Sequence, residues 1–114
     1  MRHEVKKISR IVDELVTFFL RKDTDEVDVS IKRSTEQTVI RLIVHGTHFD
    51  SDFITHLEES LNIQRQHEIE EYYWQLAGET DCDTEITLVG AMVDSATIGE
   101  IDGDLCIEMI RKNE

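Results

Sequence analysis

Between residues 3 and 21 the apolar positions Val5, Ile8, Ile11, Val12, Leu15, Val16 and Phe19 recur every three or four residues. That spacing places them on one face of a helix. Lys6, Lys7, Arg10, Asp13 and Arg21 fall on the other face, and the polar stretch Asp23–Asp25 ends the pattern. The period then shortens to two. Val27, Val29 and Ile31 alternate with Asp28, Ser30 and Lys32, which predicts a strand with one buried and one wet side. Beyond the turn Ser34–Gln37, the run Thr38–Val44 is almost continuously apolar and β-branched. Such a run predicts a central strand covered on both sides, and the two strands read as a hairpin.

The second half returns to helical spacing. Asp50 or Ser51 is a natural N-cap for a short helix with Phe53, Ile54, Leu57 and Leu61 on its apolar side. A further helix is expected from about Gln64 to Ala77, with Ile69, Tyr72, Tyr73 and Leu76 as its stripe and Gly78 as its stop. The acidic loop Glu79–Asp83 leads to a third helix over Thr84–Ser95, apolar at Ile86, Val89, Met92 and Val93. A closing hairpin pairs Thr97–Ile101 with Leu105–Ile110 across the Asp102-Gly103 turn signal. Paired strands, then helices, then paired strands predict an α+β, two-layer sandwich. Its helices would pack on one face of a four-stranded mixed, mainly antiparallel sheet.

The 114 residues fit one domain, 1–114, long enough to bury a core without covalent staples. The 25 acidic against 12 basic side chains give a net charge of −13, which repels the phosphates of nucleic acids and of anionic membranes. The bases Arg2, Lys6, Lys7 and Arg10 gather at the start, whereas Asp and Glu dominate from Asp50 to Asp104. That acidic half serves solubility and could also steer a basic protein patch. Two cysteines, Cys82 in the acidic loop and Cys106 in a strand, are too few for a disulfide framework. No stretch approaches the ~20 apolar residues of a membrane span, and the first residues lack a secretory core. A reduced, cytoplasmic setting is the expectation.

The candidate chemistry is sparse. His45, His48 and Asp50 stand where a strand leaves for a loop, but zinc signatures add a second ligand pair at set spacing, and His56 and His67 fall on other predicted helices. Asp81-Cys-Asp83-Thr-Glu85 alternates acids like a calcium loop, yet Ile86 replaces the turn glycine and Met92 the bidentate glutamate. No metal ligand set and no cofactor are therefore expected. There is no Gly-x-Ser-x-Gly elbow and no Gly-rich phosphate loop, and neither cysteine has a neighbouring histidine. In Glu70–Ala77 the aromatics Tyr72, Tyr73 and Trp74 fit two readings. They are core if the helix packs between neighbours, whereas Tyr72 and an exposed Trp74 among acids would anchor an interface.

Five features come in a particular order. The helix Ile11–Leu20 carries Glu14 and, four residues on, Phe18. The strand Val39–Gly46 ends in Val44-His45-Gly46. Phe49, Phe53 and Leu57 follow it. A late helix spans Glu85–Asp94, and a hairpin Ala96–Arg111 closes the chain. This succession resembles the Bergerat-type ATP-binding domain of gyrases, histidine kinases and mismatch-repair ATPases, in particular the small anti-sigma-factor kinases.

The resemblance implies a nucleotide pocket whose magnesium-bearing Asn is replaced by Phe18. Its adenine-reading carboxylate is absent at His45 and Gly46, and its lid glycines give way to Glu79–Asp83. Glu14 keeps the acid position. The implied function is a non-catalytic, regulatory or protein-interaction domain in a bacterial signalling setting. Its partner would be another protein or a second copy in a homodimer, with the first helix and the Trp74 helix as its surfaces. The alternative is a small-molecule-binding protein or enzyme using a remodelled pocket near His45, His48 and Glu14.

Overall fold

A computed structural model of the chain describes residues 3–22, 24–46, 48–68, 70 and 85–113. Helix α1 (Glu4–Leu20) leads into strands β1 (Glu26–Arg33) and β2 (Gln37–His45), followed by helix α2 (Ser51–Leu61). Residues 67, 68 and 70 are helical, the Glu70 amide donating to the Gln66 carbonyl. Short helix α3 (Glu85–Gly90) and strands β3 (Ser95–Ile101) and β4 (Asp104–Lys112) complete the described chain. The helices pack on one face of a four-stranded sheet in the order β1-β2-β4-β3, and all three pairings are antiparallel. The α+β two-layer expectation holds. No described helix is long and apolar enough to cross a membrane.

Local chemistry sets most element ends. Ser34 closes the first hairpin, its Oγ accepting from the amides of Glu36 and Gln37. Asp50 caps α2 by accepting from the Phe53 amide at 2.8 Å, which satisfies one of the orphan donors of the first turn. Asp102 and Gly103 both take positive φ, 51° and 85°. Those are the left-handed values that a two-residue type I′ hairpin requires.

The core lies between the layers. Ile8, Ile11, Leu15 and Phe19 of α1 and Leu57 and Leu61 of α2 meet Ile40, Leu42 and Val44 of β2 and Leu105, Ile107 and Met109 of β4. Ile86 and Val89 of α3 close one end.

Four expectations need correction. First, β2 is central but is covered on one face only among the described residues: Ile40, Leu42 and Val44 are buried, while Val39, Ile43 and His45 on the other face are half-exposed. Its continuous apolar run reflects β propensity rather than two-sided burial. Second, the apolar side of β1 is not deeply buried. It is an edge strand, and Val29 and Ile31 remain 40% and 44% exposed.

Third, the late helix stops at Gly90 instead of running to Ser95. At Asp94 the backbone already pairs with β4, its amide donating to the Ile110 carbonyl, so β3 starts two residues early. Fourth, Lys7 is not on a solvated face but is buried at 3% exposure. Ile69, Tyr72, Tyr73, Trp74, Leu76, Gly78, the loop Glu79–Asp83 and Cys82 lie outside the described residues.

Candidate functional site

Glu14 and Phe18 occupy successive turns of α1 on the side that meets the other helices. Glu14 is buried at 3% exposure. Phe18 stacks on Phe53 of α2 with ring centroids 6.1 Å apart, and Phe53 stacks in turn on Phe49 at 4.7 Å. Phe19, fully buried, meets Phe18, Phe49 and Phe53 edge-on, the geometry that the ring quadrupoles favour. All four phenylalanines of the chain thus form one cluster.

Beside it opens a cleft of about 260 Å³ lined by Phe18, Lys22, Phe53, His56, Leu57 and Ser60, with Ile86 at one end. The Lys22 ammonium lies 5.0 Å from the Phe18 centroid and 5.5 Å from that of Phe53, a cation–π arrangement. The described lining offers a cation, an imidazole and a hydroxyl, but no carboxylate or amide side chain.

His45 belongs to a different surface. It follows Val39, Arg41 and Ile43 on the face of β2 turned away from the helices, whereas Glu14 points into the layer on the opposite side. Gly46 has φ 82° and is held against a carboxylate: a Cβ there would stand 2.1 Å from an Asp25 oxygen. Its glycine identity is thus explained by close approach of Asp25, whose amide also donates to the His45 carbonyl. His48 is exposed and borders a recess of about 10 Å³, too small for any organic ligand. His45, His48 and Glu14 therefore do not converge on one pocket. The spacing of His45, His48 and Asp50 builds no common site either, because Asp50 is engaged in capping α2.

His45 instead bridges three strands. Its Nδ1 donates to Asp104 at 2.7 Å and its Nε2 to Asp28 at 2.8 Å. Ionised carboxylates only accept, so the imidazolium is the form of the ring that satisfies both contacts. Hydrogen bonds to Asp28 and then Asp104 raise its pKa above the ordinary histidine value. Glu26, paired directly with His45 in the β1–β2 register, completes a group whose ligand atoms all lie within 4.8 Å of one another. Further along the open face, beyond Ile43, Arg41 of β2 is paired with Glu108 of β4.

A second charged constellation is buried. The Arg111 guanidinium binds both oxygens of Glu4 at 2.7 and 2.8 Å and both of Glu70 at 2.7 and 2.9 Å. Lys7 and Arg65 also donate to Glu70, and Arg65 reaches Asp94. Burial would raise the Glu70 carboxyl, but hydrogen bonds from Arg111, Lys7 and Arg65 outweigh it and hold it down to about 2. Burial would likewise lower Arg111, yet Glu4 and Glu70 raise it. The hydrogen bond from Arg111 lowers Glu4 against the opposing effect of burial.

Among the described residues three cations face three carboxylates here, and their hydrogen bonds are made to one another. It is a clamp rather than a receptor site. Sequence reasoning missed it, although two signals were present. Glu4 and Lys7 fall in the same helical stripe as Ile8 and Ile11, and Arg111 continues the inward alternation Leu105, Ile107, Met109 of β4.

Comparison with protein-family models, with curated proteins and with solved structures found no match to this chain.

Proposed function

We propose that the chain is a non-catalytic regulatory or protein-interaction domain of Bergerat-like architecture, in which phenylalanines occupy the nucleotide cleft. The observation that carries this reading is the Phe18–Phe53 stack at the cleft. Where magnesium and triphosphate would need several oxygen ligands, the described lining supplies aromatic rings, one ammonium, one imidazole and a single hydroxyl. The order helix, hairpin, helix, helix, hairpin is also the one on which the resemblance rests.

An interaction role is favoured by apolar surface at the β1 side, where Val29 and Ile31 are exposed beside a strand edge that pairs with no other strand among the described residues. Such an edge is a ready template for pairing with another chain. The reading places the domain in the cytoplasm of a bacterium, meeting a protein or a second copy of itself. The net charge of −13 disfavours nucleic acid as the partner.

Thermal melts with ATP·Mg²⁺ and ADP, beside light scattering for mass, test the proposal. A ligand at 100 times its dissociation constant adds about 2.7 kcal/mol, a shift of several degrees for a domain of this size. The expected result is no nucleotide shift. A shift specific to ATP or ADP would defeat the reading.

A further inference from the structure

The corner of the open sheet face where β1, β2 and β4 meet holds one imidazole among carboxylates, and its geometry suits an ion. Glu26 and Asp28 are two residues apart on one strand and so share a face. His45 stands opposite Glu26 in the neighbouring strand. The three side chains offer one nitrogen and two carboxylate oxygens within 4.8 Å of one another, and zinc bonds such atoms at ~2.0–2.2 Å. The backbone need not move, because paired strands fix all three positions.

We propose that Glu26, Asp28 and His45 form a binding site for a divalent transition-metal ion, zinc being the ion whose ligand chemistry the set fits, with Asp104 as a positioning residue. Two further observations support it. Asp104 accepts from His45 Nδ1 at 2.7 Å, which leaves Nε2, the nitrogen facing Asp28 and Glu26, as the one to bind metal. A carboxylate behind the distal ring nitrogen is the usual orienting partner of a metal-bound histidine.

Charge provides the second. Glu26, Asp28 and Asp104 place three carboxylates around one imidazole at this corner, and a divalent ion offsets part of that charge. Three protein ligands leave further coordination positions to water, as in open zinc sites. Imidazole combined with carboxylate favours zinc and its first-row neighbours over magnesium or calcium, which prefer all-oxygen sets. The exchange is balanced: the proton on Nε2 leaves to solvent as the metal–nitrogen bond forms.

Zinc titration of the chelator-treated full chain by calorimetry, with ¹⁵N spectra of the histidine rings, tests the site. The expected result is saturable zinc binding, with His45 Nε2 changing from a protonated to a metal-bound shift while Nδ1 stays protonated. Asp104→Asn should weaken the affinity 10–100-fold, and His45→Ala should abolish the binding while His48→Ala leaves it unchanged. Magnesium and calcium should not compete. If His45→Ala proves unfolded by circular dichroism, the ring shifts of the wild-type chain decide. No binding at millimolar zinc, unaltered His45 ring shifts in saturated protein, or binding that survives His45→Ala, as a thiol or surface-histidine site would give, each overturns the proposal.

Discussion

Burying a guanidinium costs several kcal/mol unless its five N–H groups all find acceptors, and Arg111 makes five such bonds. Four go to Glu4 and Glu70 and the fifth to the Met92 carbonyl. Glu70 is the shared member, because it also accepts from Lys7 and Arg65. Its carboxyl, held at about 2 against an ordinary 4.5, links the clamp to pH. The ionised form stabilises the fold above pH ~4.5, and that contribution disappears as pH falls toward 2. Glu70→Gln should therefore cost about 3 kcal/mol in urea unfolding at neutral pH and far less near pH 2. An equal cost at both pH values would mean that charge is not what Glu70 contributes. Charge pairing of this kind was not legible in the sequence: Glu4 and Arg111 stand 107 residues apart, and a buried arginine follows from strand alternation only once its neighbours are known to face inward.

Elements whose limits are set by their own residues were legible, and those set by packing were not. The Asp50 cap and the Asp102-Gly103 turn are local devices, and each appears where the residues indicated. The third helix was overextended because its stop comes from α2. A Cβ on Gly90 would lie 2.2 Å from the Ser60 carbonyl oxygen, so the two helices touch backbone to side-chain-free backbone. Gly90→Ala should push α2 and α3 apart and cost about 1–3 kcal/mol, read as a drop of several degrees in melting temperature. Gly99→Ala is the control. Nothing lies within 4 Å of its Cβ position, and its effect should stay within about 0.5 kcal/mol. Equal losses in the two variants would remove helix contact as the cause. The candidate site divides in the same way. Phe19 could be placed on the inner side of α1 by period alone, whereas the Asp28–His45–Asp104 bridge depends on register across three strands.

At the scale of the whole molecule, the succession of helix, hairpin, helices and hairpin was enough for the two-layer class. It did not give the neighbours in the sheet, because antiparallel hairpins can be laid side by side in more than one order with the same inward pattern. In the structure the last strand is inserted in the middle: β4 pairs with β2 on one side and β3 on the other. Removing residues from Asp104 onward should therefore abolish folding rather than trim an edge. Such a fragment loses Leu105, Ile107 and Met109 from the core and Arg111 from its clamp. Urea titration followed by circular dichroism should give no cooperative transition, and a sharp one would show that β1 and β2 suffice with the helices.

That central placement also bears on synthesis. As the chain leaves the ribosome, β1 and β2 can form their hairpin early, but the inner edge of β2 stays open for the whole time that the next sixty or so residues are made. Only β4 can close it, so a nascent chain exposes an adhesive β edge until Asp104–Lys112 has left the exit tunnel. A pause or a premature stop ahead of β4 would leave that edge available to chaperones or to neighbouring chains.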